Sequence, residues 1–182
     1  MLCSILSTII PQTMPKIGEY MKLDLINPFI HTVLNTMETM SAIKPTKHKP
    51  YTKSNNLTEG DVTGLVGFAS DKLSGTVALS FPKDTAFKIY ETMIGTPVNE
   101  INTEVQDIVG ELTNIVAGGA KTKLSAMGLS YDIAIPIVIA ENKHTINHKF
   151  DKSVVIVPFN IGNKSFTSKL SIRFNNNSIL PS

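Results

Sequence analysis

Apolar residues recur at helical spacing over two long stretches of this 182-residue chain and alternate with polar ones over several shorter stretches. In the first long stretch Ile26, Phe29, Ile30, Val33, Leu34, Met37 and Met40 fall three or four positions apart. That spacing predicts an amphipathic helix over 23–43, with Pro28 accepted in the first turn after Asn27. In the second stretch Val105, Ile108, Val109, Leu112, Ile115, Val116 and Gly119 form the same kind of stripe. Asn102 or Thr103 is placed to cap this helix, Glu104 and Asp107 sit near its positive start, and Gly128 is placed to end it. A shorter helix is predicted over 83–94, carried by Ala86, Phe87, Ile89, Tyr90 and Met93 and stopped by Gly95.

Between the helices the apolar period changes to that of strands. Residues 63–70 and 73–81 are β-rich runs joined through Asp71 and Lys72, the expectation for a hairpin. Gly64, Gly67 and Gly75 weaken these strands but leave room for a helix to pack closely. Residues 44–53 are basic and contain prolines, which reads as a loop or an edge strand. Further strands are predicted over 133–140, 153–160 and 165–174, and the tail NNNSILPS at 175–182 is set apart from the fold. Each half thus runs helix first and strands after. The expectation is an α+β fold with a pseudo-duplicated order, in which an antiparallel sheet of about six strands is covered on one face by two long helices.

Composition narrows the classes. A hydrophobic fraction of 42% in 182 residues suits one domain with a substantial core. The net charge of +2, from 17 basic and 15 acidic residues, lacks the footprint of a nucleic-acid binder. The single Cys3 makes no internal disulfide and no metal cluster, so a reducing, cytoplasmic setting is expected. The opening MLCSILSTII is apolar but lacks a basic leader and is far shorter than the roughly 20 residues that span a bilayer, so no membrane partner is expected.

Candidate chemistry lies on the polar face of the second long helix, where Asp107, Glu111 and Asn114 fall in line. Three residues apart, Glu111 and Asn114 are about 60° apart around the axis and about 4.5 Å along it, so they point the same way. Asn is a mediocre helix former, and an outward Asn in mid-helix invites a functional reading. The spacing alone is close to chance, because mid-helix polar residues are mostly just solvated. His144 and His148, four apart, have metal-ligand spacing only if helical, and their polar connection between strands argues for surface histidines instead. GGAKT at 118–122 lacks the strand and spacing of a phosphate loop, and no Gly-x-Ser-x-Gly elbow is present. No metal site is expected.

The sequence around the pair adds what the spacing lacks. The run DIVGELTNIVAGGAKTKL, 107–124, resembles the signature helix of the CheC/CheX/FliY phosphatases, whose pattern is Asp or Ser, three residues, Glu, two residues, Asn. Asp107, Glu111 and Asn114 match it in turn, and INPFIHTVLNTMETM, GLVGFAS and LSGTVALSFP extend the resemblance over roughly 21–174. Residues 1–20 then form an N-terminal extension, either an addition outside the domain or a strand or helix added to its fold, and 21–174 a single domain. CheC-type members carry two Glu-x-x-Asn helices and CheX-type members one. Here the first helix offers Glu38 with Ser41 in the corresponding place, which is not a match, so the chain reads as CheX-like.

The resemblance implies a CheC-like fold and hydrolysis of the aspartyl phosphate on a CheY-like response regulator in chemotaxis. Asn114 is then expected to position the attacking water and Glu111 to pair with a receiver lysine. The Mg2+ is expected on the receiver, with no cofactor in this chain. Asp107 and Gly118 are assigned to partner binding. Asp107 is equally accounted for as an acid near a helix start, and Gly118 and Gly119 imply close approach of either the receiver or the neighbouring helix. CheX-type relatives form homodimers, and unpaired strand edges in the C-terminal half offer a route to one. The alternative is a non-catalytic adaptor, of receiver-docking or flagellar-switch type, with the same fold.

Overall fold

The computed structural model describes residues 17–53, 60–140 and 154–174. Cys3, the greater part of the N-terminal extension, the His144 and His148 connection and the tail from 175 lie outside these residues. Within them the order is α1 (Ile17–Ser41), β1 (Thr46–Lys47), β2 (Tyr51–Lys53), β3 (Val62–Ala69), β4 (Leu73–Phe81), α2 (Lys83–Ile94), α3 (Thr103–Ala126), β5 (Asp132–Ile133), β6 (Ile137–Ile139), β7 (Val154–Ile161) and β8 (Lys164–Phe174).

Among the described residues the sheet has eight strands in six positions. Two hairpins, β3–β4 and β7–β8, join through β4 and β8, with β5 and β6 flanking β3 and β1 and β2 flanking β7; the pairs are antiparallel. The expected count of six therefore describes the width of the sheet, whose outer positions are each built from two short pieces. The first half's short strands flank the second half's hairpin, and the reverse, so the two halves are interlocked.

Residues paired across an antiparallel ladder share a face. The pairs Val62 with Phe81, Gly64 with Leu79, Val66 with Val77 and Phe68 with Gly75 define the face that the helices cover. On it Phe29 of α1 stacks against Phe68, whose ring also meets Tyr131, and Phe81, Phe166 and Phe159 form a second ring stack. Val33, Met37, Leu112, Val116 and Leu124 of the two long helices are 1% exposed or less. Each such side chain contributes about 1.5–3 kcal/mol on burial, and this packing holds the helices to the sheet.

Two elements differ from the sequence reading by more than a residue or two. Helix α1 starts at Ile17, not at 23, so it runs unbroken through Met21 and carries Pro28 in its interior. An interior proline costs about 3 kcal/mol. Leu25, Ile26, Phe29 and Ile30, all buried around it, offset that cost, and the Thr32 hydroxyl donates to the Pro28 carbonyl at 2.7 Å. The strand expected over 133–140 is split, because Pro136 has no N–H to give the ladder; Ala134 still donates to the Gly67 carbonyl at 2.8 Å.

Candidate functional site on helix α3

Helix α3 is fixed at both ends as its sequence predicts. Asn102 is the N-cap, its side chain accepting from the Val105 N–H at 3.0 Å. At the other end Gly128, with φ of 80°, turns the chain so that the Gly128 and Leu129 N–H groups reach the Ser125 and Leu124 carbonyls. Between these ends Val105, Val109, Leu112 and Val116 are buried, whereas Ile108 and Ile115 on the flank towards the polar stripe are half-buried.

The outward face carries the predicted residues together. Asp107 and Glu111 are exposed, and Asn114 and Gly118 are half-buried. Asn114 lies about 40° around the axis from Gly110, on the flank where Gly110 approaches Val138 of β6, which accounts for its partial cover. Among the described residues, neither Glu111 nor Asn114 spends its side chain on a hydrogen bond or an ion pair. The stripe thus presents a carboxylate and an amide with free valences, one able to pair with a cation and the other able both to donate and to accept. The described residues hold no group of three or more His, Cys, Asp and Glu arranged to take a metal ion.

The two adjacent glycines separate in role. A methyl placed on Gly119 would lie 2.5 Å from Thr32 Cγ2, so this glycine exists to admit α1. A methyl placed on Gly118 meets nothing within 4 Å, so the fold itself gives no packing reason for that glycine.

Several contacts that hold the helix are not predicted by the sequence reading. Tyr90 of α2 donates to the Glu104 carboxylate in the first turn of α3, and this bond pushes the Tyr90 hydroxyl pKa up. Tyr131, buried beside Phe68, donates to the Ala117 carbonyl at 3.4 Å, and burial raises its pKa. Lys121, one turn beyond Ala117, pairs with Asp132 at 3.3 Å. Thr113, fully buried, donates to the Val109 carbonyl at 2.7 Å and lies against Gly64. Apart from the Thr113 hydroxyl bond within α3, each of these contacts joins residues of different elements that only folding brings together, so no local sequence pattern marks it.

The sequence model of the family described as Chemotaxis phosphatase CheX matches residues 62–160, more than half of the chain. The chain belongs to the CheX family. A CheC-like superfamily protein from Shewanella sp. PV-4 is similar in structure, with a TM-score of 0.78 and 38% identity, covering 83% of this chain and 98% of that one. The CheY-P phosphatase CheX of Thermotoga maritima is 28% identical over 117 residues, 64% of this chain and 75% of the relative. A chain in a CheX–CheY–BeF3–Mg2+ complex from Borrelia burgdorferi superposes with a TM-score of 0.70 at 26% identity, covering 82% of this chain and 98% of that one. The matched segment of the CheX family includes Asp107, Glu111, Asn114 and Gly118. No described helix is long and apolar enough to cross a membrane.

Proposed function

We propose that this CheX-family chain accelerates hydrolysis of the aspartyl phosphate of a CheY-like receiver, with α3 laid across the receiver's active site. The observation that carries the reading is the outward Glu111 and Asn114 pair, adjacent on one turn and uncommitted to any described neighbour. The T. maritima relative is a CheY-P phosphatase, and the B. burgdorferi complex joins a CheX to a CheY with BeF3 and Mg2+; both support it.

In the proposed reaction a water oxygen attacks phosphorus in line with the scissile P–O bond. That bond breaks towards the receiver aspartate, which regains its carboxylate, while the proton of the water leaves with inorganic phosphate. Positioning and charge neutralisation are nearly all that such a transfer requires of a catalyst. The Asn114 amide orients the water, accepting from it through its carbonyl oxygen. Glu111 pairs with a receiver lysine and so fixes the helix in register, Asp107 adds negative charge one turn earlier, and Gly118 leaves the helix backbone bare to a partner surface one turn later. The receiver supplies the Mg2+, whose charge offsets the phosphoryl oxygens.

The test is phosphate release from a phosphorylated CheY-like receiver with Mg2+ and purified protein. Acceleration by the wild type, lost in Asn114→Ala and weakened in Glu111→Ala, is the expected result. No acceleration sinks the function, and unchanged rates in both variants sink the site; receiver binding without acceleration favours the adaptor reading.

A homodimer is part of the same proposal. Ile135 and Ile137, 87% and 60% exposed, lie at the outer edge of the sheet beside β3, where a second copy would bury them. Light scattering showing only monomer at micromolar concentration removes this part.

A further inference from the structure

The turn of α3 that bears Glu111 and Asn114 rests on its inner side directly on sheet backbone. An ideal Cβ built on Gly64 of β3 would lie 2.1 Å from Thr113 Oγ1, 2.9 Å from Thr113 Cβ and 2.9 Å from the Val109 carbonyl oxygen. Ordinary contacts to carbon run at about 3.5–4.0 Å, so strand and helix approach about 1 Å closer here than any residue with a side chain permits. The contact is also stiff. Thr113 is β-branched and 0% exposed, its hydroxyl is held by the Val109 carbonyl, and the Val109 oxygen is itself helix backbone. The other glycines that admit neighbours to α3 are met by side chains only, Thr32 at Gly119 and Val138 Cγ2, at 3.0 Å, at Gly110.

We infer that Gly64 and Thr113 are positioning residues for the proposed phosphatase site, setting how far Glu111 and Asn114 stand out from the sheet. A methyl at 64 has no soft side chain to push aside, so relief comes by lifting or tilting the 109–114 turn. A displacement of about 1 Å is of the size that slows a positioned reaction about a hundredfold. Receiver affinity depends on a broader surface and falls less. The inference rests on the reading of α3 as a phosphatase site, and one of its readouts is independent of that reading.

The experiment compares Gly64→Ala, Thr113→Ala, their double variant and Phe159→Leu, a core control at the far ladder beneath the Phe166 ring. For phosphorylated receiver, kcat falls about a hundredfold in Gly64→Ala while the Kd for BeF3-activated receiver changes less than tenfold. Thr113→Ala removes the nearest clashing atom, so the double variant regains part of that loss. Phe159→Leu loses thermal stability but keeps kcat, separating positioning from general weakening. The side-chain amide resonances of Asn114, assigned by their loss in Asn114→Ala, shift in Gly64→Ala and move back in the double variant.

Wild-type kcat together with unmoved Asn114 resonances in folded Gly64→Ala overturns the inference, as does a double variant no better than the single. Where Gly64→Ala does not fold, the double variant is set against Thr113→Ala alone; a slower kcat supports the inference and equality overturns it. A wild type without turnover sinks the proposed function, and the inference is then decided by the Asn114 resonances.

Discussion

Glu38 and Ser41 at the end of α1, and Glu111 and Asn114 in the middle of α3, share a three-residue spacing on helices of the same sheet face. The α1 pair is consumed by its own fold. Glu38 binds Lys44 at 2.8 Å, raising the lysine's pKa, and the buried Ser41 hydroxyl donates to the Met37 carbonyl at 2.6 Å. Helix α1 stops at Ser41, whereas α3 continues twelve residues past Asn114 to Ala126. A polar pair stays available to a partner when the helix runs on beneath it and no neighbour satisfies it, and a capping or buried position removes that freedom.

Substitutions that treat the two turns alike test this contrast. The largest difference is expected between Asn114→Ala and Ser41→Ala. The first lowers the receiver dephosphorylation rate by at least about a hundredfold, or roughly 2.7 kcal/mol in the barrier, with little change in Tm. The second leaves the rate alone but costs about 1 kcal/mol of stability through the lost buried hydrogen bond. Equal effects on rate would break the comparison.

Next in size, Glu111→Ala is expected to weaken receiver binding about tenfold and to flatten its dependence on salt, because the proposed intermolecular ion pair is lost. Glu38→Ala removes only an exposed pair with Lys44 and is expected to change neither binding nor Tm measurably. Titration of both variants with a BeF3-activated receiver at two ionic strengths reads this directly.

The smallest and sharpest test uses the adjacent glycines. Gly118→Ala is expected to raise stability by up to about 1 kcal/mol through helix propensity, yet to weaken receiver binding by covering the bare backbone. Gly119→Ala is expected to lower stability by crowding Thr32. Thermal unfolding paired with binding gives opposite signs if only Gly118 faces the partner, and a stabilised Gly118→Ala with full affinity would remove its assignment.

Much of the frame was legible. The helical stripe from Val105 to Gly119, the Asn102 cap, the stop at Gly128 and the hairpin around Asp71 and Lys72 are local signals, carried by residues within a few positions of one another. The α1 start was not legible, because tolerance of Pro28 depends on how much apolar surface is buried around it. The break at Pro136 was hidden because the surrounding isoleucines alternate as a strand does. The room for a helix at Gly64 was legible, but that Thr113 fills it, and that Tyr90 meets Glu104, was invisible, since only folding brings those elements together.

The sequence by itself determined the fold class, the polar stripe of Asp107, Glu111 and Asn114, and the family resemblance, because periodicity and motif are properties of neighbours along a chain. Only the tertiary structure decided that β1 and β2 cross to β7 while β5 and β6 cross to β3, that Gly119 admits α1 while Gly118 stays open, and that the site turn rests on the bare backbone of Gly64. These depend on which surfaces meet and how closely, and close packing settles that over distances a linear pattern does not encode.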